Sequence, residues 1–240
     1  MDVAKDVMTR AIDSLPDSSH VALRLYGHRV PAGRPGACED SELVIPMSPI
    51  DKVALRRRVR GIQPRGTTPI AYSLQQVIAD MKDQPGEKVV VLVTDGEEEC
   101  RGDLVSAIAE LQKAVRVRVN FVGLAIVSER VRTQLGEIAK VTGGRYYDAS
   151  DASGLRAGLR AAMAAQVDVV DHAGTVVHQA VTMNAATDLR AGLYSVVVHL
   201  AQGPVTFPGI QIVPGQHTTV LMEQVGDGIK ATAQTSPRRR

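Results

Sequence analysis

The sequence predicts an α/β domain built on a doubly wound, mostly parallel sheet, followed by a small all-β sandwich domain. Three observations carry this. The stretch "KVVVLVTDG", Lys88 to Gly96, holds an unbroken apolar run from Val89 to Val93, and a strand apolar on both faces belongs in a parallel sheet covered from both sides. Segments of helical and of strand character alternate from the start of the chain to about residue 165, as they do in βα units. After Gln166 the helical period stops, and short strand-like segments separated by Gly and Pro turns take over.

Each element follows from local pattern. Val3, Val7, Met8, Ala11, Ile12 and Leu15 lie at helical spacing. "HVALRLYGH" alternates as a strand, the Gly/Pro-rich loop "RVPAGRPGACED" follows, and "SELVIPM" is a second strand. A basic helix runs from Asp51 to about Arg60, "PRGTTP" turns the chain, and "IAYSLQQVIADMK" is helical. Beyond the apolar strand come helix "DLVSAIAELQKAV", strand "RVRVNFVGLAI", helix "ERVRTQLGEIAKVTGG" closed by glycine, short strand "RYYDAS" and helix "GLRAGLRAAMAAQ". The second part reads as "VDVVD", "TVVHQAVTM", "GLYSVVVHL", "VTFPGIQIV" and "HTTVLMEQV". The domains are therefore expected at 1–165 and 166–230, with 231–240 a disordered basic tail ending in "SPRRR".

Composition narrows the function classes. The chain is 44% hydrophobic and 22% charged, as globular proteins are, and its net charge of +2 gives no basis for nucleic-acid binding. Arg56, Arg57, Arg58 and Arg60 on the basic helix read as a solvated face, since no aromatic residues interleave to stack on bases. With 3% aromatics and no Trp, the core must come from Val, Leu, Ile and Ala. No apolar run approaches the roughly 18–20 residues of a membrane span.

The strand Val89–Val93 ends in Thr94, Asp95, Gly96 and three glutamates. In open α/β sheets, ligands bind beyond the carboxyl ends of the strands. Asp95 stands there, Gly96 permits a sharp turn, and Thr67 and Thr68 of "RGTTP" reach the same edge. Hydroxyls and carboxylates gathered in this way favour a hard cation such as Mg²⁺ or Ca²⁺. A plain turn or helix-capping role for Asp95 is the competing explanation.

In this order, "RGTTPIAYSLQQVI", "KVVVLVTDGEEEC", "RVNFVGLAI" and "AKVTGGRYYDAS" resemble a bacterial von Willebrand factor type A domain over residues 1–165. The resemblance implies a parallel sheet with one antiparallel edge strand, here "SELVIPM". It also implies a metal-ion-dependent adhesion site with ligands from three loops. Thr68 is then the second-loop ligand, with Thr67 the fallback, and Asp95 the third-loop ligand; Glu97, Glu98 and Glu99 form an acidic rim. The first central strand and its Asp-x-Ser-x-Ser motif are missing. The similar "DASDAS" at Asp148–Ser153 is better explained as a helix N-cap. Without the first strand, "HVALRLY" and "KVVVLV" lose a neighbour. Three outcomes are then open: the sheet closes up, another chain supplies the strand, or the sequence is an N-terminally incomplete part of a longer protein. The third is favoured, with a signal peptide, the strand and its motif upstream.

The resemblance implies Mg²⁺, or Mn²⁺ or Ca²⁺, in the full-length protein, with weak or no binding in this chain. The implied partner is a protein that offers a carboxylate, in an extracytoplasmic setting (periplasm, secreted or cell surface). Similar bacterial domains pair cysteines at positions like Cys38 and Cys100, both in loops at the carboxyl edge, which implies a disulfide; two free thiols are the alternative. "LRAGLYSVVV" and "FPGIQIVPGQHTTV" are similar to carboxypeptidase-regulatory or transthyretin-like modules, implying a spacer or second contact surface. No catalytic motif is present: there is no G-x-S-x-G elbow and no phosphate loop, and the six histidines are scattered. The expectation is an adhesion module and not an enzyme. A metal-independent interaction protein with a degenerate site is the alternative.

Overall fold

The structure, a computed structural model, describes residues 2–163, 166–180, 186–200, 203–225 and 228–237. The chain divides into two compact units, Met1–Gln84 with Lys88–Met163, and Pro85–Glu87 with Ala164–Arg240.

In the first unit, helix α1 (Asp2–Asp13) leads into strand β1 (His20–Tyr26), which pairs antiparallel with β2 (Ser41–Pro49). Helix α2 (Lys52–Arg60) begins at Asp51, whose carboxylate accepts from the amides of Val53 and Ala54, both at 2.9 Å. Helix α3 (Ile70–Met81) follows, then β3 (Val89–Thr94). Helix α4 (Leu104–Val115) is capped by Asp103 in the same way that Asp51 caps α2. Strand β4 (Arg118–Leu124), helix α5 (Glu129–Val141), strand β5 (Tyr146–Ala149) and helix α6 (Ala152–Met163) complete the unit. Asp151 of "DASDAS" accepts from the Gly154 amide at 2.8 Å, so this motif caps α6.

Strands β3, β4 and β5 form a parallel sheet in that order, joined through helices α4 and α5. Period-two alternation divides β3 between two cores. Val90 and Leu92 face a cluster with Leu74, Ile108 and Phe121; Val91 and Val93 face another with Val7, Val122 and Leu159. Burial on both faces is what the apolar run requires. Central β4 carries Asn120, whose amide nitrogen donates to the Ala162 carbonyl at 2.7 Å and whose oxygen accepts from the Arg145 amide at 2.8 Å. The buried polar group is satisfied and ties α6 and the β5 approach to β4.

The sheet does not close up. Among the described residues β1–β2 and β3–β4–β5 are separate ladders, and β1 shares no backbone pairing with β3. A side chain bridges them: the Tyr26 hydroxyl donates to the Val93 carbonyl at 2.7 Å. "SELVIPM" is the antiparallel partner of β1, as expected, within its own two-stranded ladder.

In the second unit, β6 (Gln166–Asp171), β7 (Val176–Ala180), β8 (Gly192–Leu200) and β9 (Gly203–Ile212) form an antiparallel sheet in the order β7-β6-β8-β9. Strands β10 (Gln216–Val225) and β11 (Gly228–Pro237) form a hairpin. Its Val220, Met222 and Ile229 pack onto a core of Val167, Val196, Val198, Leu200 and Ile210. Residues 181–183 of the expected strand "TVVHQAVTM" lie outside the described residues. Residues 231–237 correct the expected tail: they are strand, paired with β10 from Gln216 to Met222. "ATAQTSP" carries too little apolar residue to announce a strand; the ladder to β10 supplies the reason. Arg238–Arg240 lie outside the described residues.

Candidate functional site

Three loops meet where β1 and β3 end. Gly27 follows β1 with φ 59°, and a Cβ there would lie 2.2 Å from the Thr67 carbonyl oxygen. Glycine is therefore required both for the left-handed turn and for the close approach. The Gly27 carbonyl accepts from the amides of Arg65 and Gly66, at 3.0 and 2.9 Å. The "RGTTP" loop is thus held to the end of β1 by backbone contacts.

The loop after β3 docks on the same turn through its glutamates. Glu99 Oε2 accepts from the Thr68 amide at 2.9 Å and from the Thr68 hydroxyl at 3.0 Å. Glu98 accepts from the Ala71 amide at 2.8 Å and from the Cys100 amide at 2.7 Å. Helix α3 has Pro69 at its N-cap and no side-chain cap of its own. Glu98 meets that need from another loop, placing a carboxylate against the open amides and positive end of the helix. Glu97 is exposed and pairs with Arg130 at 2.9 Å. Of the three glutamates expected at the rim, Glu97 and Glu99 are exposed, while Glu98 and Glu99 are also engaged by backbone amides.

Cys38 and Cys100 form a disulfide with Cα atoms 5.5 Å apart. It joins the loop after β1 to the loop after β3, which settles the choice between disulfide and free thiols. The first of these loops is organised by Asp40, a buried carboxylate. Asp40 accepts from the amides of Arg29 (2.7 Å) and Val30 (2.9 Å) and from Arg29 Nε (2.8 Å). Burial pushes its pKa up, but these donors outweigh burial and hold it below the usual carboxylate range.

Asp95 is exposed at the end of β3, with no hydrogen bond or ion pair among the described residues. The next residue, Gly96, lies beside Thr68: a Cβ on it would be 3.9 Å from the Thr68 hydroxyl oxygen. Thr67 points elsewhere, its hydroxyl donating to the Ala37 carbonyl at 2.9 Å. Beneath this edge, burial pushes the Tyr26 phenol up to about 12, and the charges of Asp95 and Glu98 add to the shift. Tyr26, Asp40 and the inward roles of Glu98 and Glu99 were not marked in the sequence, since each acts on groups remote along the chain.

Residues 1–160 match the von Willebrand factor type A domain as a family. The "Uncharacterized protein YwmC" of Bacillus subtilis (strain 168) is 34% identical over 151 residues, 61% of this chain and 66% of that protein. YwmD of the same organism is 28% identical over 158 residues, 63% of this chain and 70% of its own. A solved structure titled "von Willebrand factor type A from Catenulispora acidiphila" superposes with a TM-score of 0.55 at 19% identity. That superposition covers 98% of this chain and 60% of the solved one. The chain thus spans about two thirds of the first relative and three fifths of that structure, and the latter likeness speaks to fold alone. With the βα order, the antiparallel hairpin strand and the three converging loops already in place, this chain belongs to the von Willebrand factor type A domain family.

Proposed function

We propose that the chain is a protein-binding module whose contact surface is the carboxyl edge of the parallel sheet, completed by a divalent cation on Thr68 and Asp95. Domains of this family act in general as adhesion and interaction modules. The observation that carries the finer reading is Asp95: an exposed carboxylate with no partner among the described residues, next to a loop whose other carboxylates are mostly engaged.

The donor chemistry suits Mg²⁺, Mn²⁺ or Ca²⁺, because a threonine hydroxyl and a carboxylate are hard oxygen ligands. The donor number is low. Mg²⁺ takes about six oxygens, and no group of three or more His, Cys, Asp or Glu able to hold an ion occurs among the described residues. Bound there, the cation would supply open coordination positions for water or for the carboxylate of a partner protein. Glu99 keeps the Thr68 hydroxyl in place, and Glu97 sets the charge at the rim.

Calorimetric titration of Mg²⁺ and Mn²⁺ into this chain is expected to show feeble binding, in the millimolar range or weaker, abolished by Asp95→Ala. Metal response unchanged by Asp95→Ala would remove Asp95 from the site. Partner capture insensitive to chelators would favour a metal-independent module with a degenerate site, which the engagement of the Thr68 hydroxyl by Glu99 also suits. The disulfide supports an oxidising, extracytoplasmic setting.

A further inference from the structure

We propose a second binding site, away from the sheet edge, in the cleft between the β1–β2 hairpin and the C-terminal end of α2. Its ligand is a small organic anion with a carboxylate or phosphate head and an apolar body. The cleft holds about 380 Å³, within the range that binding pockets occupy. Its apolar wall comes from three elements: Leu25 of β1, Val44 of β2, and Ile62 just beyond α2, all half-buried.

The charged wall decides the ligand. Glu42 lines the cleft, and its carboxylate is turned towards His28 and Arg29, not towards Arg57 or Arg58. It lies 3.0 Å from His28 Nε2 and 3.6 Å from Arg29 Nε. Arg57 and Arg58 also line the cleft and are exposed, and their guanidinium groups make no hydrogen bond or ion pair among the described residues. The acids near α2 are spent on its other cations. Arg56 pairs with Asp13, and Lys52 pairs with Asp17 at 2.6 Å. Two guanidinium groups therefore face one cleft, neither ion-paired among the described residues, against the single carboxylate of Glu42. Guanidinium groups bind carboxylate and phosphate oxygens through two parallel hydrogen bonds, so one oxyanion can satisfy both arginines while its apolar body covers Leu25, Val44 and Ile62.

The ordinary role of arginines here is to complement the negative end of α2. Arg60, in the same last turn, serves that role without lining the cleft, and so separates the two explanations.

The test is calorimetry of the full chain with octanoate and hexyl phosphate, against acetate and inorganic phosphate. Saturable binding of octanoate or hexyl phosphate is expected, with affinity rising about fourfold for each methylene buried. The preferred head group identifies the oxyanion. Arg57→Ala with Arg58→Ala should weaken binding at least tenfold, whereas Arg60→Ala should leave it unchanged. If the double alanine variant does not fold, as judged by circular dichroism, Arg57→Lys with Arg58→Lys replaces it. That pair keeps charge and dipole but loses the paired hydrogen bonds, and is expected to weaken binding severalfold. The proposal fails if neither long-chain probe saturates in the millimolar range. It also fails if acetate binds as well as octanoate, or if the arginine pair can be replaced without loss.

Discussion

Tyr26 closes β1 and reaches across to β3, so its phenol reports on the join between the two ladders. Burial raises its pKa to about 12, and burial with the Asp148 contact raises that of Tyr146 to about 12 as well. A group with a raised folded pKa contributes stability that is complete below its unfolded value, about 10 for tyrosine, and that is lost as pH rises through the folded value. Stability should therefore fall between about pH 10 and pH 12, with up to one proton released on unfolding per buried phenol. Thermal melts across that window should show a shallower decline for Tyr26→Phe, together with a loss of about 1 kcal/mol at neutral pH from the missing bond to the Val93 carbonyl. An unchanged alkaline slope would mean that the phenol is as solvated as in the unfolded chain. Asp40 works in the opposite direction: its lowered pKa gives stability that is present above the ordinary carboxylate range and is lost as pH falls through the folded value.

Among elements, the disulfide and the glutamate clamp do different work on the same loops. The bridge spans 62 residues of sequence, for which the loop-entropy model gives roughly 4 kcal/mol of stabilisation. Reduction, or replacement of Cys38 and Cys100 by alanine, is expected to lower the urea midpoint accordingly while leaving the helical content intact. A midpoint unmoved by reductant would show that the loops are already confined by Glu98, Glu99 and the Gly27 contact. Those contacts are local in space and distant in sequence, which is why "EEEC" read as a rim. Three consecutive acids beside a glycine look solvated until the N-terminus of α3 is placed against them. Cap preference gave no warning either, since Pro69 occupies the position where a Ser, Thr or Asp is the usual signal.

For the whole molecule, the separation of β1–β2 from β3–β4–β5 sets a gradient of protection. Strand β4 is paired on both sides and buried along most of its length, whereas among the described residues β1 and β3 each have a partner on one side only. Amide exchange should be slowest at Val119, Phe121 and Val122 and faster along β1, where local opening breaks fewer contacts. Equal protection of β1 and β4 would mean that the β1 edge is covered in solution.

The order of helices and strands in the first unit was legible because period-two and helical spacing, caps and apolar runs are local properties of the chain. So was the delivery of Asp95 to a sheet edge, since an apolar run ending in Asp-Gly specifies both burial and turn. What the tertiary structure decided was pairing and partnership: that β1 and β3 share no backbone ladder among the described residues, that β11 is a strand because β10 pairs with it, and that Glu98 caps a helix from another loop. Hydrogen bonds between remote segments leave no periodic trace in the residues that make them, so these outcomes wait on which backbone groups the folded chain brings within reach.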